Sequence, residues 1–421
     1  YGPSELMVLV SRGINRQDFD RQAAAVLRPQ EERDSDDPWG MDAYMRGQPG
    51  QVAASFTTTV NEREVEAWSR SWLGYSRFAG VIMTPAEWTR AGAEVQQAIT
   101  RYVECGGVVV MLGAWNAPAG WNAYRADDGS YARGFGTMLI VDEPDFKKWE
   151  KDLWERLAEH FKKTVAPLRN RNSIQGANRR LPVVEELGVP VRGLFVLMIL
   201  FAVVIGPVNF IVLGRRNRRI WTLWTVPAIS IFTSVMVFGY AIVAEGFTVH
   251  YRTETFTLLD QRTQHATTFG WAGLYAPLTP SGGIRVSPDA ELTPQVQIDH
   301  GDGGRQRTVN WTSTQHLDSG WVAARIPAHF TIRQSHTPRR ERVSTWVDES
   351  GRLHAVNGLG ATITRLWLAD ETGLIHQARN VEPGADVVLS SLSPDVKLTR
   401  TEAKSRELYR GDWLKAADNV M

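Results

Sequence analysis

Two uncharged runs lie back to back near the middle of the chain. Leu194–Leu213 reads LFVLMILFAVVIGPVNFIVL, and Ile220–Ala244 follows after Gly214-Arg215-Arg216-Asn217-Arg218-Arg219. A helix rises ~1.5 Å per residue, so a run of about twenty residues crosses the roughly 30 Å hydrocarbon layer of a bilayer. A core helix of a water-soluble domain rarely needs more than ~12–14 such residues. The runs therefore read as a transmembrane helical hairpin over 193–245, with the lipid bilayer as the first expected partner. The competing reading is a pair of buried helices inside a large soluble core.

Four arginines, Arg215, Arg216, Arg218 and Arg219, sit between the runs. The positive-inside rule puts that turn on the cytoplasmic side of a cytoplasmic membrane and both long flanks on the outer face. Arg179, Arg180 and Arg192 weaken the bias, but Glu185 and Glu186 dilute them. Trp221 and Trp224 stand where the second run leaves the turn, as interfacial aromatics do. Inside the runs, Gly206-Pro207-Val208-Asn209 and Pro227 are the features expected to shape helix packing. Proline removes a backbone donor and bends a helix, and asparagine can bond a neighbouring helix or a freed carbonyl. Neither run contains Asp, Glu, Lys, Arg or His, the groups that ion and proton paths use, which argues against a pump or transporter built from the hairpin alone.

The remainder is polar enough to fold in water: 22% of the 421 residues are charged. A net charge of +1 gives no global field toward nucleic acid, so none is expected as a partner. The single cysteine, Cys105, excludes an internal disulfide and a Cys-rich zinc site. Tyr1 stands first where a leader would begin with Met, so outer-face flanks imply a processed signal or a preceding segment. Sixteen tryptophans are many, and most are expected in cores or interfaces.

Residues 1–165 alternate strand and helix. Expected strands are Glu5–Ser11, Phe78–Met83, Val108–Leu112 and Gly136–Val141. Helices are expected over Asn61–Leu73, with a cap at Asn61 and Glu64 three residues on, and from Thr84-Pro85 to Glu104, with Val95, Ile99 and Val103 on one face. A further amphipathic helix covers Asp145–Lys163. Such alternation implies an α/β domain whose parallel sheet is covered on both faces.

The order Tyr75…Phe78-Ala-Gly-Val-Ile-Met, helix, then Tyr102-Val-Glu-Cys-Gly-Gly-Val-Val-Val-Met-Leu-Gly resembles the class I glutamine-amidotransferase-like domain. It resembles more closely the degenerate form found in bacterial membrane proteins of unknown function. Those often carry a helix pair with a Gly-Pro-Val-Asn-Phe…Arg-Arg junction, matched here by Gly206–Phe210 and Arg215–Arg219. The resemblance implies a flavodoxin-like, amidotransferase-like α/β fold over 1–165. In the active family a cysteine sits on a sharp strand-to-helix elbow, with a distant His and Glu. Here Val108–Leu112 leads into Gly113-Ala114-Trp115-Asn116, without a nucleophile, and Cys105 precedes the strand. The domain therefore reads as catalytically dead, with no catalytic residue, cofactor or metal assigned.

Two weaker features carry bland readings. Asp34-Ser35-Asp36-Asp37 is acidic but lacks the glycine and terminal glutamate of a calcium loop. Gly134-Phe135-Gly136 precedes a strand and so reads as a turn, not a phosphate cradle. Residues 166–192 read as a linker down to the membrane.

From residue 246 the texture changes to short Thr-, Val- and Trp-rich segments between turn clusters, the pattern of antiparallel β structure. Strands are expected at Phe247–Tyr251, Thr255–Leu259, Gln295–Ile298, Trp321–Ile326 and Arg342–Val347. The reading divides this part into an all-β unit over 246–335, an immunoglobulin-like sandwich over 336–400, and a final helix or tail over 401–421 around Thr401–Ala417. The same bacterial membrane proteins tend to finish this way. Eight of the nine histidines fall at or after His250, without metal-ligand spacing. Asp299-His300-Gly301-Asp302 reads as a hairpin turn, and no Ser, His and Asp are singled out as a triad.

The expectation is a non-enzymatic, membrane-anchored accessory or scaffolding subunit, with other membrane protein subunits as partners. One alternative is an auxiliary subunit of an ABC-type transport system. The other is a hydrolase or amidotransferase-like enzyme in the 1–165 domain.

Overall fold

The computed structural model describes residues 5–27, 55–60, 63–118, 120–121, 125–126, 129–169, 174–183, 191–216, 219–245, 248–295, 307–312, 314–336, 338–370 and 374–391. Asp34–Asp37, the Asn61 cap, Arg218, Asp299–Asp302 and Thr401–Ala417 lie outside the described residues.

The N-terminal part holds β1 (Glu5–Val10), β2 (Ser55–Val60), β3 (Gly80–Met83), β4 (Val108–Leu112), β5 (Tyr131–Arg133) and β6 (Gly136–Val141). They form one sheet in the order β2-β1-β3-β4-β6-β5. All neighbours run parallel except the β5–β6 hairpin. Its helices are α1 (Arg16–Leu27), α2 (Pro85–Arg90), α3 (Ala93–Glu104) and α4 (Lys151–Arg169). Alternate residues of β4 serve opposite cores. Val108, Val110 and Leu112 join Phe19, Trp154 and Phe161, while Val109 and Met111 join Trp88, Val95, Ile99 and Val103. Each such side chain contributes roughly 1.5–3 kcal/mol by leaving water. This explains why β3 and β4 read as continuous apolar runs: a parallel sheet is buried on both faces. Tyr102 Oη donates to Phe78 O at 2.9 Å and so ties α3 to the start of β3. The glycine pair after α3 is steric in origin. Gly106 turns the chain with φ +99°, and a Cβ on Gly107 would lie 2.3 Å from the Tyr102 ring.

Three helix expectations are corrected, and the one over Asp145–Lys163 begins only at Lys151, after a separate 3₁₀ turn at Phe146–Lys148. Within Asn61–Leu73 the structure has short 3₁₀ turns, Val65–Ala67 and Trp72–Gly74. Ser69 Oγ both donates to Ser71 O and accepts from Ser71 N, a local alternative to helical bonding. The expected helix to Glu104 is two helices, broken at Ala91-Gly92. Gln96 Nε2 donates to Trp88 O and Ala91 O at 2.8 and 3.0 Å, satisfying carbonyls freed by the break.

Beyond residue 165, α4 continues through Arg169, and α5 (Ile174–Arg180) follows. Next come α6 (Val191–Val203), a π-helical turn Val204–Val208, α7 (Asn209–Arg215), the turn Arg219–Trp221 and α8 (Thr222–Glu245).

The C-terminal part is all β, in antiparallel sheets. Its first strands are β7 (His250–Asp260), β8 (His265–Tyr275), β9 (Ile284–Arg285), β10 (Ala290–Pro294), β11 (Thr308–Asn310), β12 (His316–Ser319) and β13 (Ala328–His336). They form the sheets β10-β13-β8-β7 and β11-β12-β9. The two strands expected at Phe247–Tyr251 and Thr255–Leu259 are one, because β7 runs unbroken as an exposed edge through Arg252-Thr253-Glu254. Trp321–Ile326 is not a strand; Trp321 Nε1 instead bonds Thr308 O at 2.8 Å. Then follow β14 (Arg342–Val347), β15 (Leu353–Gly358), β16 (Ile363–Ala369), β17 (Ile375–Val381), β18 (Asp386–Val388) and β19 (Ser390–Ser391), in sheets β14-β15-β18 and β16-β17-β19.

The last two sheets share a device that the sequence reading missed. Asp348-Glu-Ser-Gly-Arg-Leu-His354 and Asp370-Glu-Thr-Gly-Leu-Ile-His376 are versions of one pattern, 22 residues apart. In each hairpin the aspartate N–H donates to the carbonyl four residues on, at 3.0 Å in both. Its carboxylate accepts the returning N–H, from Arg352 at 2.8 Å or Leu374 at 3.0 Å. Its other oxygen meets the histidine Nε2, at 3.3 Å for His354 and 3.1 Å for His376.

The N-terminal part and the β10-β13-β8-β7 sheet meet at a buried polar seam. Arg333 on β13, 2% exposed, donates to Glu291 through Nε at 2.9 Å and to Ser76 O through Nη2 at 2.8 Å. Its guanidinium lies 5.8 Å from the centre of the Trp72 ring. Glu104 at the end of α3 contacts Arg133 and His265. His329 Nε2 bonds Leu181 O at 3.0 Å, and burial holds its imidazole below the ordinary range.

Arg333→Ala leaves Glu291 buried without its cation, so the variant is expected to lose about 3–5 kcal/mol in tryptophan-monitored denaturant unfolding. The double change Arg333→Met with Glu291→Leu should regain most of that loss. It should not regain all, because Ser76 O stays unbonded.

Candidate functional site

Doubly wound sheets bind ligands at the carboxyl ends of their strands, where the strand order reverses. In this sheet the chain goes outward from β1 to β2, then crosses back to place β3 on the other side of β1. The reversal therefore lies between β1 and β3, and the residues beyond their ends are Ser11, Gly13 and Thr84. Glu87, only 6% exposed, fills that position. Its Oε2 accepts from Ser11 Oγ at 2.7 Å, Thr84 N at 2.9 Å and Thr84 Oγ1 at 2.8 Å. Gly13 N donates to Oε1 at 3.3 Å, while Thr84 Oγ1 accepts from Glu87 N to complete a capping box. Burial raises the carboxyl, but the bonds from Ser11, Thr84 and Gly13 outweigh it and hold Glu87 below the ordinary glutamate value. Donors that could hold an anionic ligand here are already bonded to the protein's own carboxylate.

The turn after β4 is sharp, as an elbow must be. Gly113 has φ +115° and its N–H donates to Val141 O at 2.7 Å. Ala114 and Trp115 follow, so the bend presents no nucleophile. Cys105 lies at the opposite end of β4, where it caps α3, and is 1% exposed. Burial pushes its thiol far above the ordinary range, which suppresses the thiolate that nucleophilic chemistry needs.

Beside the β4 turn lies an open cleft of about 700 Å³. Asn116, Arg125, Ser130, Asp142, Arg156 and His160 supply its polar lining, with Trp115 and Tyr131 among its walls. Trp115 packs edge-on against Trp88, Trp121 and Tyr131, with ring centres 5.9–6.0 Å apart. A Ser–His–acid group, Ser335, His265 and Glu104, lies at the buried seam. There Nε2 of His265 faces both Ser335 Oγ, at 3.1 Å, and Glu104 Oε2. A triad needs the acid on the opposite ring nitrogen, so this cluster is a packing contact and not a relay. Among the described residues, no group of three or more His, Cys, Asp or Glu side chains is arranged to hold a metal ion.

The helix pair carries the other sequence-derived positions. Met198–Arg215 and Thr222–Gly239 are long and apolar enough to cross a membrane, and they are 6% and 0% buried. Phe195, Leu200, Phe210 and Phe232 are each more than 60% exposed. Pro207 lies in the π-helical turn and Pro227 inside α8. A π turn re-satisfies the backbone around an unbonded proline position. The Asn209 side chain finds its partner within the chain. Its Nδ2 donates to Thr225 Oγ1 at 3.0 Å, and the Thr225 hydroxyl lies 3.1 Å from Oδ1. Gly206 has open space where a Cβ would stand. Arg215 and Arg216 are exposed, Arg219 opens the short turn, and Trp221 and Trp224 are 54% and 75% exposed.

Glu87 adds a pH dependence whose sign is fixed. Its folded value is depressed, so its stabilising contribution is complete above the ordinary glutamate value of 4.5 and is lost as pH falls through the lowered folded value. Thermal midpoints measured from pH 7 to pH 3 should therefore fall more steeply for the wild type than for Glu87→Gln. Glu87→Gln should also be the less stable of the two at pH 7. No family model matches this sequence, and no curated protein matches it.

Proposed function

We propose that this chain is a non-catalytic, membrane-anchored accessory or scaffolding subunit of a larger membrane protein complex. In this reading residues 193–245 span the cytoplasmic membrane twice, with Arg215–Arg219 on the cytoplasmic side and both soluble parts on the outer face. The observation that carries it is the position of the bare helix pair between two soluble parts that touch. Soluble proteins rarely expose a contiguous apolar patch larger than a few hundred Å². The buried bond from Arg333 to Ser76 joins positions 257 residues apart on either side of the hairpin. Parts that meet in this way must stand on the same side of a bilayer, which requires an even number of crossings between them.

The finer fold readings belong to the same proposal. The order β2-β1-β3-β4 supports a flavodoxin-like, amidotransferase-like domain. The absence of a nucleophile at Gly113-Ala114, the buried Cys105 and the self-filled crevice at Glu87 support a pseudoenzyme. The paired three-stranded sheets over 342–391 support an immunoglobulin-like end.

Membrane extraction followed by native-size measurement tests the proposal. The chain should need detergent and should run larger than its 47.1 kDa mass together with co-purifying subunits. Dispersion in plain buffer would remove the anchor. A detergent-solubilised monomer with no co-purifying protein would remove the subunit role.

A second reading, a hydrolase, is favoured by one observation: Ser130, His160 and Asp142 all line the cleft beside β4. Ester or amide hydrolysis abolished by both Ser130→Ala and His160→Ala would establish it. Activity lost with Cys105→Ala would instead favour the amidotransferase-like chemistry.

A further inference from the structure

We infer that the tip of the helix pair is an anionic-phospholipid site, built from Arg215 and Arg216 with Trp221 and Trp224 and held in shape by the Asn209–Thr225 clamp. The inference rests on the membrane-spanning reading and adds the chemistry of the lipid.

The first argument is charge. No Asp or Glu occurs between Glu186 and Glu245, so the arginines of the turn have no acidic residue near them in sequence. Among the described residues, Arg215 and Arg216 also make no ion pair, and both are exposed. Outside the helix pair acidic residues are interspersed along the sequence, and arginines such as Arg12, Arg70, Arg101, Arg133, Arg333 and Arg352 each meet a carboxylate. Cations left unmatched at the end of a spanning pair face lipid headgroups, and anionic headgroups supply the missing charge.

The second argument is shape. Asn209 lies less than two helical turns below Arg215, and Thr225 about one turn below Trp221. The clamp therefore binds the helices just beneath the tip. Two polar side chains that bond each other in an otherwise apolar stretch fix rotation as well as spacing. α7 also packs against the Arg219–Trp221 turn and against α8, so the clamp holds the helix end that carries Arg215 and Arg216 beside the turn that carries Trp221. Tryptophan settles at headgroup depth because its ring is apolar and its N–H is wet. The indoles thus set the depth and the guanidiniums meet phosphate, for which their planar donor fork is suited.

Native mass spectrometry of the full chain in neutral detergent, titrated with phosphatidylglycerol and with phosphatidylcholine, tests this. An exposed basic side chain near an anionic surface gains ~1 kcal/mol, a factor of about five. Wild type should bind phosphatidylglycerol at least about tenfold more tightly than phosphatidylcholine, and the double change Arg215→Gln with Arg216→Gln should remove most of that ratio. Asn209→Leu keeps every arginine and should still lower the ratio. For the unaltered chain the ratio should shrink as salt rises from about 50 to 500 mM, since exposed charges are screened. Equal affinity for the two lipids in wild type, or a ratio untouched by both salt and the double change, overturns the site. Flotation with phosphatidylcholine vesicles separates the two levels. A chain that floats yet shows no lipid preference loses only the site, and a chain that stays out of vesicles loses the spanning reading and the site together.

Discussion

A buried guanidinium joins the two halves of this chain. Arg333 comes from the β-rich half and reaches Ser76 in the α/β half, with Glu291 neutralising it and Trp72 beneath it. An arginine taken out of water costs several kcal/mol unless its charge is matched. Among the described residues Nη1 has no partner, so the bonds to Glu291 and to Ser76 of the other half hold the seam in register. Glu104 extends the seam by meeting Arg133 from its own half and His265 from the other. The helix pair enters the sequence between these halves, and its apolar surface is excluded from their contact. The chain thus combines a buried polar seam between two folded halves with two exposed helices long and apolar enough to cross a membrane.

The same logic bears on the α/β domain. The sequence features behind the amidotransferase-like expectation are apolar strands and glycines. Those positions are explained here by packing: β4 serves two cores, and Gly107 passes under Tyr102. Such residues hold a fold and say nothing about chemistry. At the crevice where ligands of this topology bind, the chain instead places Glu87, with hydroxyl and amide donors turned inward onto it.

Sequence periodicity made the buried elements legible. Val108–Leu112 and Gly136–Val141 are strands as expected, because an interior strand has no solvent face to interrupt its apolar run. Arg342–Val347 was equally readable from its turn signals. Elements that depend on solvent-facing or local side-chain bonds were not. Ser69 and Ser71 bond locally where the Asn61 and Glu64 signal led to a helix, and the polar middle of β7 hides one long edge strand. The capping box at Thr84 and Glu87 was present as a Thr-x-x-Glu signal, though its second role, bonding Ser11 and Gly13, depends on contacts more than seventy residues away. The partners of Arg333 and Asn209 are likewise set by tertiary placement, which no local spacing encodes.

The repeated closures at Asp348–His354 and Asp370–His376 give neighbouring hairpins almost the same local instructions. A nascent chain could satisfy either turn with strands meant for the other, or borrow them from another molecule, at similar local energy. Asn357 distinguishes the two. Its Nδ2 donates to Ala361 O and Val381 O at 2.8 Å each, fastening the first hairpin to the beginning and the end of the second. The counterpart of Asn357 in the second repeat is Arg379, which carries no such amide, and Asn380 beside it has φ +50° within β17. One buried carboxamide therefore gives the first of two near-identical hairpins a fastening to its successor that the shared turn pattern does not supply.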